Sequence, residues 1–338
     1  MDGFTIQNAV DVVIPMRNGA KTIGATFASA CAQTRPPRKI IVVDDGSDDG
    51  GAELVRGHPL TEIIATPPMG VSHARNIGVR AARAEFVAIL DCDDLWHADK
   101  LAFQLAVFDS HPEVDVVTCD ELNVRGSGEI VPGTSRRPRF RGRPYSQNLG
   151  AASRLGGWSS SLVFRRTSFL ETGGYDESLS FWEDLEFSLR MARNHVFDYC
   201  PRLLTFIVEN PDSTTRRYSS PAKAWEIRLQ FLSVMERQLG DTPSGLRIKM
   251  QCAQTILSHI VRDRIGWSGI AALRSQIEER APALAARMPR NDVRFVLSLL
   301  VLSLPRYPAA LRILWQMARR RLGRVSSSRH ALRGWKLG

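Results

Sequence analysis

Phe86-Val87-Ala88-Ile89-Leu90-Asp91-Cys92-Asp93-Asp94 is an apolar run of five residues that breaks directly into three carboxylates within four positions. A half-buried strand would alternate apolar and polar residues, so an unbroken run of this length fits a strand covered on both faces. Strands of that kind belong to parallel sheets, whose ligands sit at the carboxyl ends of the strands. The three acids stand where a site is expected.

The same pattern recurs on either side. Val10-Asp-Val-Val-Ile-Pro15 is a β-branched run stopped by proline, and Ile40-Ile-Val-Val43 is another that ends in Asp44-Asp45-Gly46-Ser47. Residues 62–65 give a weaker strand, and Val114 to Thr118 and Ser159 to Phe164 give two more. Helical stretches separate them at Thr22 to Ala32, Val71 to Ala82 and Ala98 to Asp109, the last with apolar residues at 101, 105 and 108. Glu183 to Arg193 forms a further helix. The alternation predicts an α/β domain with a mostly parallel sheet and helices on both faces. Residues 125–157 look like a long polar loop, with five arginines between 136 and 143. Beyond Pro221 the pattern turns wholly helical, over 222–238, 245–264, 268–280, 291–304 and 308–323. The expected division is therefore 1–220 and 221–338, the second a helical C-terminal region.

The composition excludes several classes. With 338 residues, 43% hydrophobic and 24% charged, the chain is neither disordered nor collagenous. Five scattered cysteines without a Cys-x-x-Cys pair give neither a disulfide framework nor a zinc knuckle, and favour a reducing compartment. The first residues lack the basic and apolar regions of a secretory signal. The apolar stretch Phe295 to Leu304 falls well short of the ~20 residues that span a bilayer. A cytoplasmic protein, soluble or peripheral on the inner face of a membrane, is expected. The net charge of +10 is unevenly placed, with 21 basic and 7 acidic residues over 221–338 against 24 and 28 over 1–220. The site-bearing part is thus mildly acidic.

Three carboxylates at Asp91, Asp93 and Asp94 repel one another unless a cation lies among them, and hard oxygen ligands favour Mg²⁺ or Mn²⁺. Alone, the pattern more often marks a solvated loop, and its position after a strand is what points to a site. Asp44 to Asp48 suits either a turn or a polar edge that hydrogen-bonds a base or ribose. In Gly70-Val-Ser-His-Ala-Arg-Asn-Ile-Gly78, Arg75 is fit for a phosphate or for an acidic neighbour, Gly78 permits close helix approach, and His73 fits a structural role. Trp182-Glu183-Asp184 opens a helix; its acids either complement the helix dipole or supply a general base.

Taken in order, Val13 to Asn18, Ile41 to Ser47, Gly70 to Gly78, Leu90 to Asp94, Gly173-Gly-Tyr-Asp-Glu177 and Trp182 to Asp184 resemble the family 2 glycosyltransferases over about residues 8–218. Each motif is common; their order and spacing together are specific. The resemblance implies a GT-A fold and an inverting transfer from a nucleotide-diphospho-sugar, with a UDP-sugar the expected donor. It implies that Asp45 contacts the base or ribose, that Pro15 and Asn18 shape the donor pocket, and that Arg75 lies near the donor. Asp91 and Asp93 would form the D-x-D, with Asp93 the direct ligand of a Mn²⁺ or Mg²⁺ ion on the diphosphate. Asp184 would be the base that deprotonates the acceptor hydroxyl, with Gly157, Trp158 and Glu183 on the acceptor side. The implied acceptor is a glycan or lipid-linked molecule of polysaccharide or glycolipid synthesis. The sequence departs from the family at Phe206 to Ser213, where many relatives have a histidine; Arg216 and Arg217 are the available substitutes.

The basic C-terminal segment, with Trp315 among Arg312 and Arg319 to Arg321, suits either an anionic membrane surface or a solvated helix face. No nucleic-acid motif accompanies the charge, so no nucleic-acid partner is expected. A non-catalytic nucleotide-sugar-binding or membrane-surface scaffold on the same fold is the alternative.

Overall fold

The central strand β1 (Ile6–Met16) is fully buried from Val12 to Ile14, as its unbroken β-branched run requires. In the computed structural model, residues 5–132, 141–143 and 159–209 are described, together with parts of 227–238 and 274–286. The chain forms two compact units, Met1–Ile248 and Lys249–Gly338. The first follows β1 with α1 (Ile23–Cys31), β2 (Lys39–Asp45), a 3-10 turn at Gly51–Val55, β3 (Thr61–Thr66), α2 (Val71–Ala81) and β4 (Ala84–Ile89). Then come β5 (Leu95–Trp96), α3 (Lys100–Ser110), β6 (Val116–Arg125), a 3-10 turn at Ser159–Ser161 and β7 (Val163–Arg165). Helices α4 (Arg166–Thr172) and α5 (Glu183–Asn194) and strand β8 (Phe197–Glu209) complete it.

One eight-stranded sheet runs in the order β3-β2-β1-β4-β7-β6-β8-β5. The first four strands are mutually parallel, β7 lies antiparallel between β4 and β6, β6 and β8 are parallel, and β5 is an antiparallel edge. Because β2 and β4 flank β1 on opposite sides, the chain leaves β1 in one direction and returns in the other. That reversal opens a crevice beyond the strand ends. Helix α1 covers the sheet with Ile23, Thr26, Phe27 and Ala30, which share one helical face. Leu101, Leu105 and Phe108 of α3 are buried as their spacing predicted.

The fold agrees with the expected α/β class and differs in four elements. Ser159 to Phe164 is a buried 3-10 turn with only a short strand behind it. Helix α4 and the edge strand β5 carry too few residues to show a period. Strand β8 is the longest in the sheet, yet Asp198, Pro201 and Arg202 interrupt its apolar pattern. Its register with β6 shifts between Cys119↔Cys200 and Asp120↔Leu203, so the proline occupies a bulge where no ladder hydrogen bond is needed.

Beyond the expected boundary at 220, and within the first unit, Phe231 meets Trp182 edge to face at 5.1 Å. In the second unit, Pro282–Ala285 forms a helical turn. The helices expected over 245–264, 291–304 and 308–323 lie outside the described residues. Among the described residues no helix is long and apolar enough to cross a membrane.

Candidate active site

Two loops meet beyond β1 and β2. Asn18 adopts left-handed backbone (φ 54°), which asparagine tolerates better than most residues. Its N–H donates to Ser47 Oγ at 2.9 Å, and its Oδ1 accepts from the Asp48 N–H at 3.0 Å. Pro15, buried one residue from the strand end, aligns with Val43. Asp44 takes the turn role, accepting the Ser47 N–H at 2.9 Å. Asp45, only 3% exposed, accepts the N–H groups of Met69 at 2.7 Å and Gly70 at 2.9 Å. Its carboxylate thus braces the loop that leads into α2.

Helix α2 presses on the sheet through Gly78, where a Cβ would stand 2.3 Å from Val13 Cγ1. This close approach brings Arg75 to the strand ends. Arg75 is 3% exposed, and its guanidinium donates to Asp91 Oδ1 and to Glu183 Oε1, both at 2.7 Å. It also lies over the Tyr175 ring at 5.2 Å. Burial acts to lower its pKa, but the Asp91 and Glu183 charges outweigh that and hold it well above the ordinary arginine value. One cation therefore ties the end of β4 to the start of α5, which are 92 positions apart in sequence.

The three acids after β4 separate by role. Asp94 is buried, accepting from Ser160 Oγ at 2.6 Å and from the Val208 N–H at 3.2 Å. Burial, then the charges of Asp93 and Asp91, push its pKa well above the usual carboxylate range. Asp91 and Asp93 both keep partial exposure. The sequence pattern treated the three as equivalent; the structure engages Asp94 inward. Among the described residues no three His, Cys, Asp or Glu side chains form a metal cage. Two carboxylates fit a cation whose other ligands are substrate phosphates, the usual arrangement for Mg²⁺.

Trp182 precedes α5 in left-handed backbone (φ 61°), an uncommon state for a bulky residue. It turns the chain so that Glu183 and Asp184 occupy the first turn of the helix. Glu183 goes to Arg75. Asp184 accepts the Leu185 N–H at 2.7 Å, and its pKa is raised to about 7. Burial is the main cause and the adjacent Glu183 charge adds to it, against the Arg75 charge and that hydrogen bond.

Sequence reasoning did not single out the supports of this site. Asn76 donates to the Tyr175 carbonyl at 2.9 Å and to Glu177 Oε1 at 2.8 Å, and accepts the Tyr175 N–H at 2.8 Å. His73 pairs with Glu177 at 2.9 Å, the structural role expected of it. Arg190 grips the buried Glu186 and the carbonyls of Thr172 and Gly174. Besides His73, the sequence signal was the Gly173-Gly-Tyr-Asp-Glu177 stretch, where Gly174 (φ 76°) leaves no room for a Cβ beside Asn76 Oδ1. Gly157 and Trp158, and the arginines at 216 and 217, lie outside the described residues.

With this geometry in hand, the comparisons give the class that the chain is similar to: residues 11–171 match the model of glycosyl transferase family 2. Among curated proteins it is 23% identical over 202 residues to the poly-beta-1,6-N-acetyl-D-glucosamine synthase of Staphylococcus epidermidis, covering 56% of this chain and 46% of that protein. It is 28% identical over 225 residues to the chondroitin synthase of Escherichia coli, with 56% and 33% covered. An uncharacterized glycosyltransferase of Haemophilus influenzae is 23% identical over 193 residues, with 56% and 63% covered. The chain thus spans less than two thirds of each of these relatives. Residues 1–349 of S. aureus TarS, solved with UDP-GlcNAc, share the fold with a TM-score of 0.61 at 20% identity, covering 82% of this chain and 83% of that one. The fold is of the GT-A type.

Proposed function

We propose that the protein transfers a sugar, with inversion, from a UDP-sugar to a hydroxyl of a glycan or lipid-linked acceptor. The observation that carries this is Arg75, whose two ion pairs hold the D-x-D strand end and the Glu183-Asp184 helix start in one site. The UDP-GlcNAc bound by TarS and the activities named for the two synthases support the donor class and a role in glycan assembly.

Asp45, Pro15 and Asn18 would frame the base and ribose, while Glu183, Gly157 and Trp158 would face the acceptor. Asp93 and Asp91 would hold a Mn²⁺ or Mg²⁺ ion, which when bound offsets the charge of the diphosphate. Asp184, with its pKa near neutrality, suits a general base. It would take the proton of the acceptor hydroxyl as that oxygen bonds to the anomeric carbon. The bond from that carbon to the diphosphate oxygen breaks on the opposite face, and its electron pair leaves with the nucleoside diphosphate. Residues 1–220 would carry this chemistry, and the basic region 221–338 would place the enzyme at a membrane.

The test is UDP release from UDP-sugars in Mn²⁺, with and without an acceptor. Asp184→Asn is expected to lower turnover by about 10²–10⁴-fold with donor binding retained. Undiminished turnover in Asp184→Asn would remove Asp184 from the base role.

A further inference from the structure

The four-residue loop Asp91 to Asp94 is braced from several directions. Its ends meet through the Asp94 N–H, which donates to the Asp91 carbonyl at 3.0 Å. From α1, Thr26 Oγ1 donates to the Cys92 carbonyl at 3.0 Å. From β8, the Val208 N–H reaches Asp94. A further brace is a single hydroxyl. Ser160 Oγ accepts the Asp91 N–H at 3.1 Å and donates to Asp94 Oδ2 at 2.6 Å.

Ser160 has no freedom of its own. It lies in the 3-10 turn Ser159–Ser161, whose three residues are at most 1% exposed. Its carbonyl accepts from Trp96 Nε1 at 2.8 Å and from Thr205 Oγ1 at 3.3 Å. The next carbonyl, of Ser161, accepts from Gln104 Nε2 at 2.9 Å. Strands β5 and β8 and helix α3 thus fix where the Ser160 hydroxyl stands.

Resting on the donor-site reading above, we propose that Ser160 is a positioning residue for the donor-binding loop. Its hydroxyl staples the first residue of the loop to the last. Asp94 is thereby held inward, and the backbone of Asp91 is set so that the Asp91 and Asp93 carboxylates meet a divalent cation and its diphosphate in a fixed arrangement. Outer supports of this kind commonly change metal affinity by about 10–100-fold.

The experiment uses the full chain and two readouts. One is Mn²⁺ binding in the presence of UDP, followed by titration calorimetry. The other is hydrogen exchange of the amides across residues 90–94 without ligand. Ser160→Ala is expected to weaken Mn²⁺–UDP binding at least tenfold and to speed exchange at the Asp91 amide. Ser160→Thr, which keeps the hydroxyl, is expected to recover much of the affinity. Asp94→Asn, which retains the shape but exchanges an acceptor for a donor, is expected to weaken binding in the same direction and serves if Ser160→Ala does not fold. Because the two residues act through one link, the Ser160→Ala/Asp94→Asn double variant should lose less than the product of the single losses.

Wild-type binding together with a Ser160→Ala affinity within twofold of it would overturn the positioning role alone. A loss in the double variant equal to the product of the singles would do the same. Failure of the wild-type chain to bind UDP and Mn²⁺ would overturn the donor-site reading, and this role with it.

Discussion

Asp184 stands at an ionisation far from that of an ordinary carboxylate, and the consequences are measurable. In the native state it keeps its proton up to pH about 7, whereas in the unfolded chain it would release it near pH 4. Below pH 4 both states are protonated, and the full stabilising effect is present. Between about pH 4 and 7 the unfolded state loses the proton first, so this contribution falls as pH rises. Asp184→Asn cannot ionise and is expected to raise the thermal midpoint more at pH 8 than at pH 5; an equal shift at both would refute the raised value. In the wild type, turnover should climb through pH 7 as the base becomes available. The site carboxylates themselves were legible from sequence, since each follows an apolar strand or opens a helix. What sequence could not show was the partition among them. Asp93 and Asp94 are adjacent and chemically identical, and only burial against Ser160 and Val208 distinguishes the second. Arg75 likewise offered a phosphate or an acidic neighbour as its partner. The structure gives it two acidic neighbours, an arrangement in which removing the cation would leave charges uncompensated.

At the scale of elements, the packing of α2 on β1 is what brings Arg75 to the strand ends. Gly78→Val is expected to cost about 1–3 kcal/mol, the typical penalty for overpacking, because even a Cβ would collide with Val13. Urea denaturation would register this as a lower midpoint with an unchanged slope, and a neutral result would mean that the helix can slide outward freely. Strands β1, β2 and β4 were readable because burial on both faces makes their sequences continuously apolar. Strand β8 was not, because its bulge places Pro201 and Arg202 inside it and half-exposes its last residues. The Ser159–Ser161 turn was unreadable for a different reason. Three serines look like a solvated loop, and only the hydrogen bonds converging on their carbonyls make full burial tolerable.

For the whole molecule, the charge asymmetry is the feature that the site does not use. The C-terminal region holds three times as many basic as acidic residues, while the stretch that matches the family 2 model sits in the acidic part of the chain. A basic surface is drawn to anionic lipid and released by salt. The full-length protein is therefore expected to float with vesicles containing phosphatidylserine at low ionic strength, and a chain lacking residues 290–338 to float less. Absence of the full-length protein from the lipid fraction would confine the basic region to a role within the protein. The net charge of +10 taken alone suggests a polyanion partner; its distribution separates placement from chemistry.

The proposed function requires one metal-dependent nucleotide-sugar site assembled from the ends of β1, β2 and β4 and the start of α5. Its most direct test is the thermal midpoint of the full chain against a panel of UDP-sugars. It should be measured with Mn²⁺, with EDTA, and in Asp93→Ala. A ligand at a hundred times its Kd adds about 2.7 kcal/mol of stability, enough to raise the midpoint by several degrees. The expected result is a rise for at least one UDP-sugar with Mn²⁺, abolished by EDTA and by Asp93→Ala. No rise with any of them, or an equal rise in Asp93→Ala, would contradict it.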